Sequence, residues 1–92
     1  MSFKVIWSPK SKKKLSKLDK ETITSIIKKA EESKTNPKRY LERLKKINAF
    51  KLRTGEYRLI INLDQNKNEM NILTLGHRRN IYKEINKKLK KN

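Results

Sequence analysis

The sequence predicts an α+β domain in which one small, twisted, mainly antiparallel sheet carries two helices from the N-terminal half and a third at the C-terminal end. Three observations predict it. Phe3, Val5 and Trp7 alternate with Lys4, Ile6 and Ser8, the two-residue period of a strand. Ile23, Ile26, Ile27 and Ala30 then fall at i, i+3, i+4 and i+7, the stripe of an amphipathic helix. The two-residue period returns between residues 50 and 75. The order β-α-α-β-β-β-α suits one sheet with helices layered on one side of it. Residues 1–92 read as a single domain with no linker and no internal repeat.

The elements follow in order. Residues 3–8 form the first strand. Pro9 ends it and suits the first turn of a helix. Residues 10–18 carry Leu15 and Leu18 among lysines, a short amphipathic helix. Asp19 is placed to cap the next helix, residues 20–33. Asn36-Pro37 breaks that helix, and residues 38–46, with Tyr40, Leu41 and Leu44, read as one or two helical turns. Phe50 and Leu52 begin a second strand, and Thr54-Gly55-Glu56 is a turn signal. Tyr57, Leu59, Ile61 and Leu63 form a third strand, and Asp64 to Asn68 a second turn. Residues 69–75 form a fourth strand, which Gly76 closes. Ile81, Ile85 and Leu89 repeat every four residues on a lysine-rich C-terminal helix.

Composition narrows the function. The chain has no cysteine, which excludes disulfides, cysteine nucleophiles and thiolate metal sites. Its single histidine cannot build a zinc site alone, so neither a metal nor another cofactor is expected. No apolar run approaches the roughly 18 residues of a membrane span. The first residues are too short and too alternating for a signal peptide, so the cytoplasm is the expected compartment and no membrane is expected as a partner. Lys and Arg number 26 against 9 Asp and Glu, a net charge of +17. Self-repulsion of that size favours a polyanionic or acidic partner.

The hairpin concentrates this charge. A two-residue Gly55-Glu56 loop sets Arg53 opposite Arg58 and Leu52 opposite Leu59. Phe50, Leu52, Leu59 and Ile61 then share the core face, and Lys51, Arg53 and Arg58 share the other. Like charges facing one another across a sheet are destabilising. Three gathered cations therefore point to an anionic ligand, against the plainer reading of a solvated face. A second basic segment, Gly76-His77-Arg78-Arg79-Asn80-Ile81-Tyr82, brings Arg for phosphate, Tyr for base stacking and His as a proton carrier to the start of the last helix.

These two segments carry a resemblance. Phe50-Lys51-Leu52-Arg53-Thr54-Gly55-Glu56-Tyr57-Arg58-Leu59-Ile60 resembles the central hairpin of RelE/ParE toxins. Leu75-Gly76-His77-Arg78-Arg79-Asn80-Ile81-Tyr82 resembles their Gly-His-Arg stretch, which leads to a tyrosine in the last helix. The Val5-Ile6-Trp7-Ser8-Pro9 opening, with a basic and then a long helix behind it, fits as well. The resemblance spans essentially the whole chain and implies the RelE/ParE toxin fold. It implies the toxin of a type II toxin–antitoxin system, an mRNA interferase of the RelE branch. Such a toxin enters the ribosomal A site and cuts messenger RNA without a metal, by attack of the ribose 2′-hydroxyl on the adjacent phosphate. The implied partners are a cognate RelB-like antitoxin, the ribosome and mRNA.

Residue by residue, the resemblance implies Lys51 as a catalytic lysine and Arg58 and Arg78 as the holders of the scissile phosphate. It implies Tyr82 as the tyrosine near the cut and Arg53 as a supporting cation. His77 and Arg79 lie in the same stretch. Well-studied members carry another lysine two residues before the Lys51 position, where this chain has Ala49; Lys45 or Lys46 would have to serve instead. The interval from Gly76 to Tyr82 is also shorter than in some members. A free lysine has a pKa of about 10.4, and neighbouring arginines are expected to lower that of Lys51 toward a usable base. Lys51, another lysine and His77 all stay open as the base. The alternative within the superfamily is a ParE-like toxin that inhibits DNA gyrase without cutting RNA. A further reading, outside the toxins, is a basic RNA-binding module with no catalysis, although few aromatic residues are free of the core to stack bases.

Overall fold

The structure, a computed structural model, describes residues 2–45 and 47–90, with the side chains of 88–90 excluded. The expected roles of Lys46 and of the Leu89 side chain lie outside the described residues. The elements are β1 (Lys4–Trp7), α1 (Pro9–Ser16), α2 (Lys20–Ser33), α3 (Pro37–Tyr40), β2 (Glu42–Arg43), β3 (Phe50–Thr54), β4 (Tyr57–Asp64), β5 (Glu69–His77) and α4 (Arg78–Lys90). The strands form one sheet in the order β1-β5-β4-β3-β2. β1 runs parallel to β5 and every other pair is antiparallel.

Local chemistry accounts for the helix starts. The Ser8 hydroxyl oxygen accepts from the Ser11 N–H at 3.1 Å, with Pro9 in the first turn of α1. The Ser8 hydroxyl in turn donates to the Leu73 carbonyl at 2.8 Å, which ties α1 to β5. Asp19 caps α2 as expected, its carboxylate accepting from the Thr22 N–H.

The β3–β4 register is the expected one, with Arg53 opposite Arg58 and Leu52 opposite Leu59. Gly55 has φ +62°, and Glu56 does not share the positive φ, which fits a type II′ turn with glycine first. The next turn depends on Asn68 at φ +52°, a conformation asparagine tolerates, with Asp64 accepting from the Lys67 N–H.

One face of the sheet is the main core. Leu52, Leu59, Ile61, Ile72 and Leu75 bury there with Ile26 and Ala30 of α2. A register shift between Ile60 and Ile61 keeps both Ile72 and Leu75 on this face and leaves Leu73 exposed. The opposite face also has a cover. Ile60 buries with Ala49 and Ile81 there, and Leu44, Ile47 and Ile85 pack around them.

Four expectations are corrected. Helices lie on both faces of the sheet, because α4 takes the face that β4 turns away from α2. The helix expected over residues 38–46 is the single turn α3, ending at Tyr40, and the edge strand β2 follows it, too short for periodicity to reveal. Gly76 does not close β5; it pairs with Arg58 inside the strand. A Cβ on Gly76 would stand 3.4 Å from Ile81 Cδ1, an ordinary contact distance, so Ile81 of α4 seats directly over Gly76. Ile27 is exposed, because the buried line of α2 runs through Ile26, Ala30 and Ser33.

Candidate functional site

The strand register sets the cations on the α4 face. Lys51 and Arg53 lie two positions apart on β3, and Arg58 stands beside Arg53 on β4. α4 supplies the rest. Its Ile81 is fully buried against Ile60, which places the neighbouring Tyr82 over β3. There the Lys51 ammonium donates to the Tyr82 hydroxyl at 3.2 Å and lies 5.5 Å from the centre of its ring. Glu42 of β2 brings Oε2 to 3.4 Å from the same ammonium.

These contacts reverse one expectation. The pKa of Lys51 is raised, first by its hydrogen bond to Tyr82, against the opposing effect of burial, and then by Glu42. Arg53 and Arg58 do not drive it down. Lys51 is therefore a held cation at neutral pH, able to donate a proton and unable to accept one.

Arg58 eases the repulsion built into the register. It is 7% exposed, and its Nη1 donates to the carbonyls of Gly55 (3.0 Å) and Tyr57 (2.9 Å). The guanidinium thus closes the hairpin tip, while Nε and Nη2 have no hydrogen-bond partner among the described residues. Arg53 is exposed, with no ion pair among the described residues.

The start of α4 is tied to the same tip. The Arg78 N–H donates to the Glu56 carbonyl at 2.8 Å, and Arg78 Nε lies 2.8 Å from Glu56 Oε2. His77 Nδ1 accepts from the Arg79 N–H at 3.2 Å, which assigns the ring proton of a neutral His77 to Nε2. Nε2 lies 3.7 Å from Glu56 Oε2, and the ring stands edge-on to Tyr57. In this arrangement His77 caps the start of α4. The Arg79 side chain is exposed, and its backbone N–H makes the capping contact. Lys45 is exposed in the bend after β2, without a hydrogen bond or ion pair among the described residues.

Three carboxylates give little sign of their roles in the sequence. Glu42 lies on an edge strand of two residues, and Glu56 reads as an ordinary turn residue. Glu84 clamps α4 to α1, with Lys10 Nζ at 2.6 Å from Oε1 and Lys14 Nζ at 2.6 Å from Oε2. Lys14 also donates to the Thr74 hydroxyl at 3.0 Å. A signal exists only for Glu56: a carboxylate beside crowded arginines is a natural counter-ion.

The arrangement as a whole is an open, cationic surface with one aromatic hydroxyl, suited to a phosphodiester chain. No group of three His, Cys, Asp or Glu residues is placed to hold a metal ion among the described residues. No described helix is long and apolar enough to cross a membrane.

Comparison with known proteins identifies the class. Residues 5–82 match the family model described as the ParE toxin of the type II toxin–antitoxin system parDE. Among solved structures, the chain is similar to the RelBE2 toxin–antitoxin complex of Mycobacterium tuberculosis. The TM-score is 0.78 at 23% identity, over 85% of this chain and 100% of that one. It is similar to Escherichia coli RelE carrying two arginine-to-alanine substitutions in the free state, with TM-score 0.73 and 22% identity, over 96% and 98% of the two chains. It is also similar to the archaeal RelE–RelB complex of Pyrococcus horikoshii, with TM-score 0.69 and 19% identity, over 85% and 97%. No curated protein matches the sequence significantly. The protein is a toxin of a type II toxin–antitoxin system with the RelE/ParE fold. Within that class the chain belongs to the ParE toxin family.

Proposed function

We propose that this toxin is a metal-independent endoribonuclease that cuts messenger RNA in the ribosomal A site. The observation that carries the reading is the contact between Lys51 and Tyr82. It sets a held cation and an aromatic hydroxyl on one surface with Arg53, Arg58 and Arg78. A phosphodiester lying there meets cations aimed at the negative charge that grows as its 2′-hydroxyl attacks, and such preorganised charge is the strongest stabilisation this kind of site can supply. The 2′-oxygen bonds to phosphorus and the 5′-oxygen leaves. Lys51 gives its proton to that leaving oxygen. The Glu42 carboxylate beside Lys51 is the acceptor for the 2′-hydroxyl proton. Arg58 and Arg78 neutralise the phosphate, and Tyr82 holds Lys51 and stacks on a base.

The site is open and its bases are weak, so it needs a host that orients the RNA; the ribosome is that host. A charge of +17 suits docking on ribosomal RNA through contacts that position without reading sequence. The RelE–RelB complexes among the structural neighbours support a cognate RelB-like antitoxin as the inhibitor, and the cytoplasm is the compartment this reading proposes.

A second reading, inhibition of DNA gyrase without nuclease activity, is favoured by the ParE family match and by Ala49. That residue is 3% exposed in the apolar cluster under α4, so the extra lysine of well-studied nucleases has no counterpart there. Primer extension on a defined message separates the two. Purified toxin is added to ribosomes stalled with an empty A site, and in parallel to the message alone. Cuts only in the ribosome arm are expected. No cuts in either arm, together with inhibition of gyrase supercoiling, would move the protein to the second reading.

A further inference from the structure

Glu56 forms an ion pair with Arg78, a cation of the candidate site. Its carboxylate lies 2.8 Å from Arg78 Nε and 3.7 Å from His77 Nε2. Its backbone carbonyl accepts from the Arg78 N–H, so the type II′ turn delivers the side chain to the start of α4 in a set pose. The side chain is nonetheless 61% exposed, and that of Arg78 is 50% exposed. An exposed ion pair of this kind contributes little to stability. Its carboxylate can be displaced by a phosphate, which matches the same guanidinium fork. A chain with 26 cations and only 9 acids has placed one of those acids on a cation of its candidate site.

We infer that Glu56 is an internal stand-in for substrate phosphate, a specificity-determining residue that holds Arg78 ready and makes loose polyanions compete for it. RNA held in register displaces the carboxylate; RNA touching the surface casually does not. This rests on the phosphate-binding reading of Arg78 and adds to it that the free toxin is screened by its own turn.

The test is binding of the full chain to a short single-stranded RNA carrying 2′-O-methyl groups, which cannot be cut, across a series of salt concentrations. Glu56→Gln is nearly isosteric and keeps the backbone contact. It is expected to bind about 1.5- to five-fold more tightly, the scale of one exposed pair. The slope of log affinity against log salt is expected to steepen by about 0.7, one added phosphate contact on a single strand. Glu31→Gln is the control. It removes the same charge from an exposed pair with Lys34 on α2, on the other face of the sheet, and should bind like wild type. If Glu56→Gln binds no more tightly than Glu31→Gln, the inference is overturned. If Arg78→Ala added to Glu56→Gln leaves the tighter binding unchanged, the site reading beneath it falls instead.

Discussion

The two faces of the sheet are built from the same strands and held by different physics. Toward α2, Leu52, Leu59, Ile61, Ile72 and Leu75 form a continuous apolar layer, closed by Ile26 and Ala30. Toward α4, the apolar cover shrinks to Ala49, Ile60 and Ile81 with their neighbours, and charged groups take the rest. There the attachments are specific and polar: Glu84 to Lys10 and Lys14, Arg78 to Glu56, Lys51 to Tyr82. The contrast teaches that one face makes the domain stable while the other, kept lightly attached, can carry its cations.

The largest expected effect of breaking the contrast lies in the apolar layer. Leu59→Ala should cost about 2–5 kcal/mol, read as a shift in the urea midpoint, because Leu59 is fully buried in a packed face. Ile81→Ala removes an equally buried side chain from the thinner face. Its signature should be local: hydrogen-exchange protection lost first in α4, with the sheet still folded.

A smaller effect concerns the Glu84 clamp. Burial raises the Glu84 pKa, but hydrogen bonds and charge from Lys10 and Lys14 outweigh it and leave the pKa lowered from 4.5. A lowered carboxylate pKa contributes stability that is fully present above 4.5 and is lost as pH falls through the folded value. α4 should loosen in acid, read as lost hydrogen-exchange protection, and Glu84→Gln should remove that step. Lys51 has the opposite sign. Its raised pKa means its contribution is present below 10.5 and lost only above it, so no basic limb in a cleavage profile should come from Lys51 near neutrality.

The same contrast separates what is legible in the sequence from what is not. The layer toward α2 follows from period-two and period-3.6 patterns, and the hairpin register from the Gly55-Glu56 turn, so Lys51, Arg53 and Arg58 can be placed on one face. Tyr82 can be assigned to the site end of α4, but its contact with Lys51 depends on how closely Ile81 seats over Gly76, a tertiary fact. β2 is too short for a pattern. Like-charge crowding is visible in the sequence, yet its resolution is not: Arg58 turns onto the carbonyls of its own hairpin, and Tyr82 and Glu42 hold the Lys51 proton in place. Charges alone therefore give the wrong direction for the Lys51 shift, since sequence shows neighbouring cations more readily than a hydrogen-bond partner 31 residues away.

The central claim is that the lightly attached face carries the chemistry through Lys51 and Arg78. Its most direct test is primer extension on ribosomes with an empty A site, using Lys51→Ala and Arg78→Ala proteins whose urea stability is measured alongside. Each variant should lose about a hundredfold or more in cleavage, the usual cost of one group that stabilises a transition state, and Arg78→Ala should abolish toxicity. Their stability should stay within about 1 kcal/mol of wild type, since only exposed or half-buried pairs are lost. Undiminished cleavage or full toxicity in a folded Arg78→Ala protein would contradict the account.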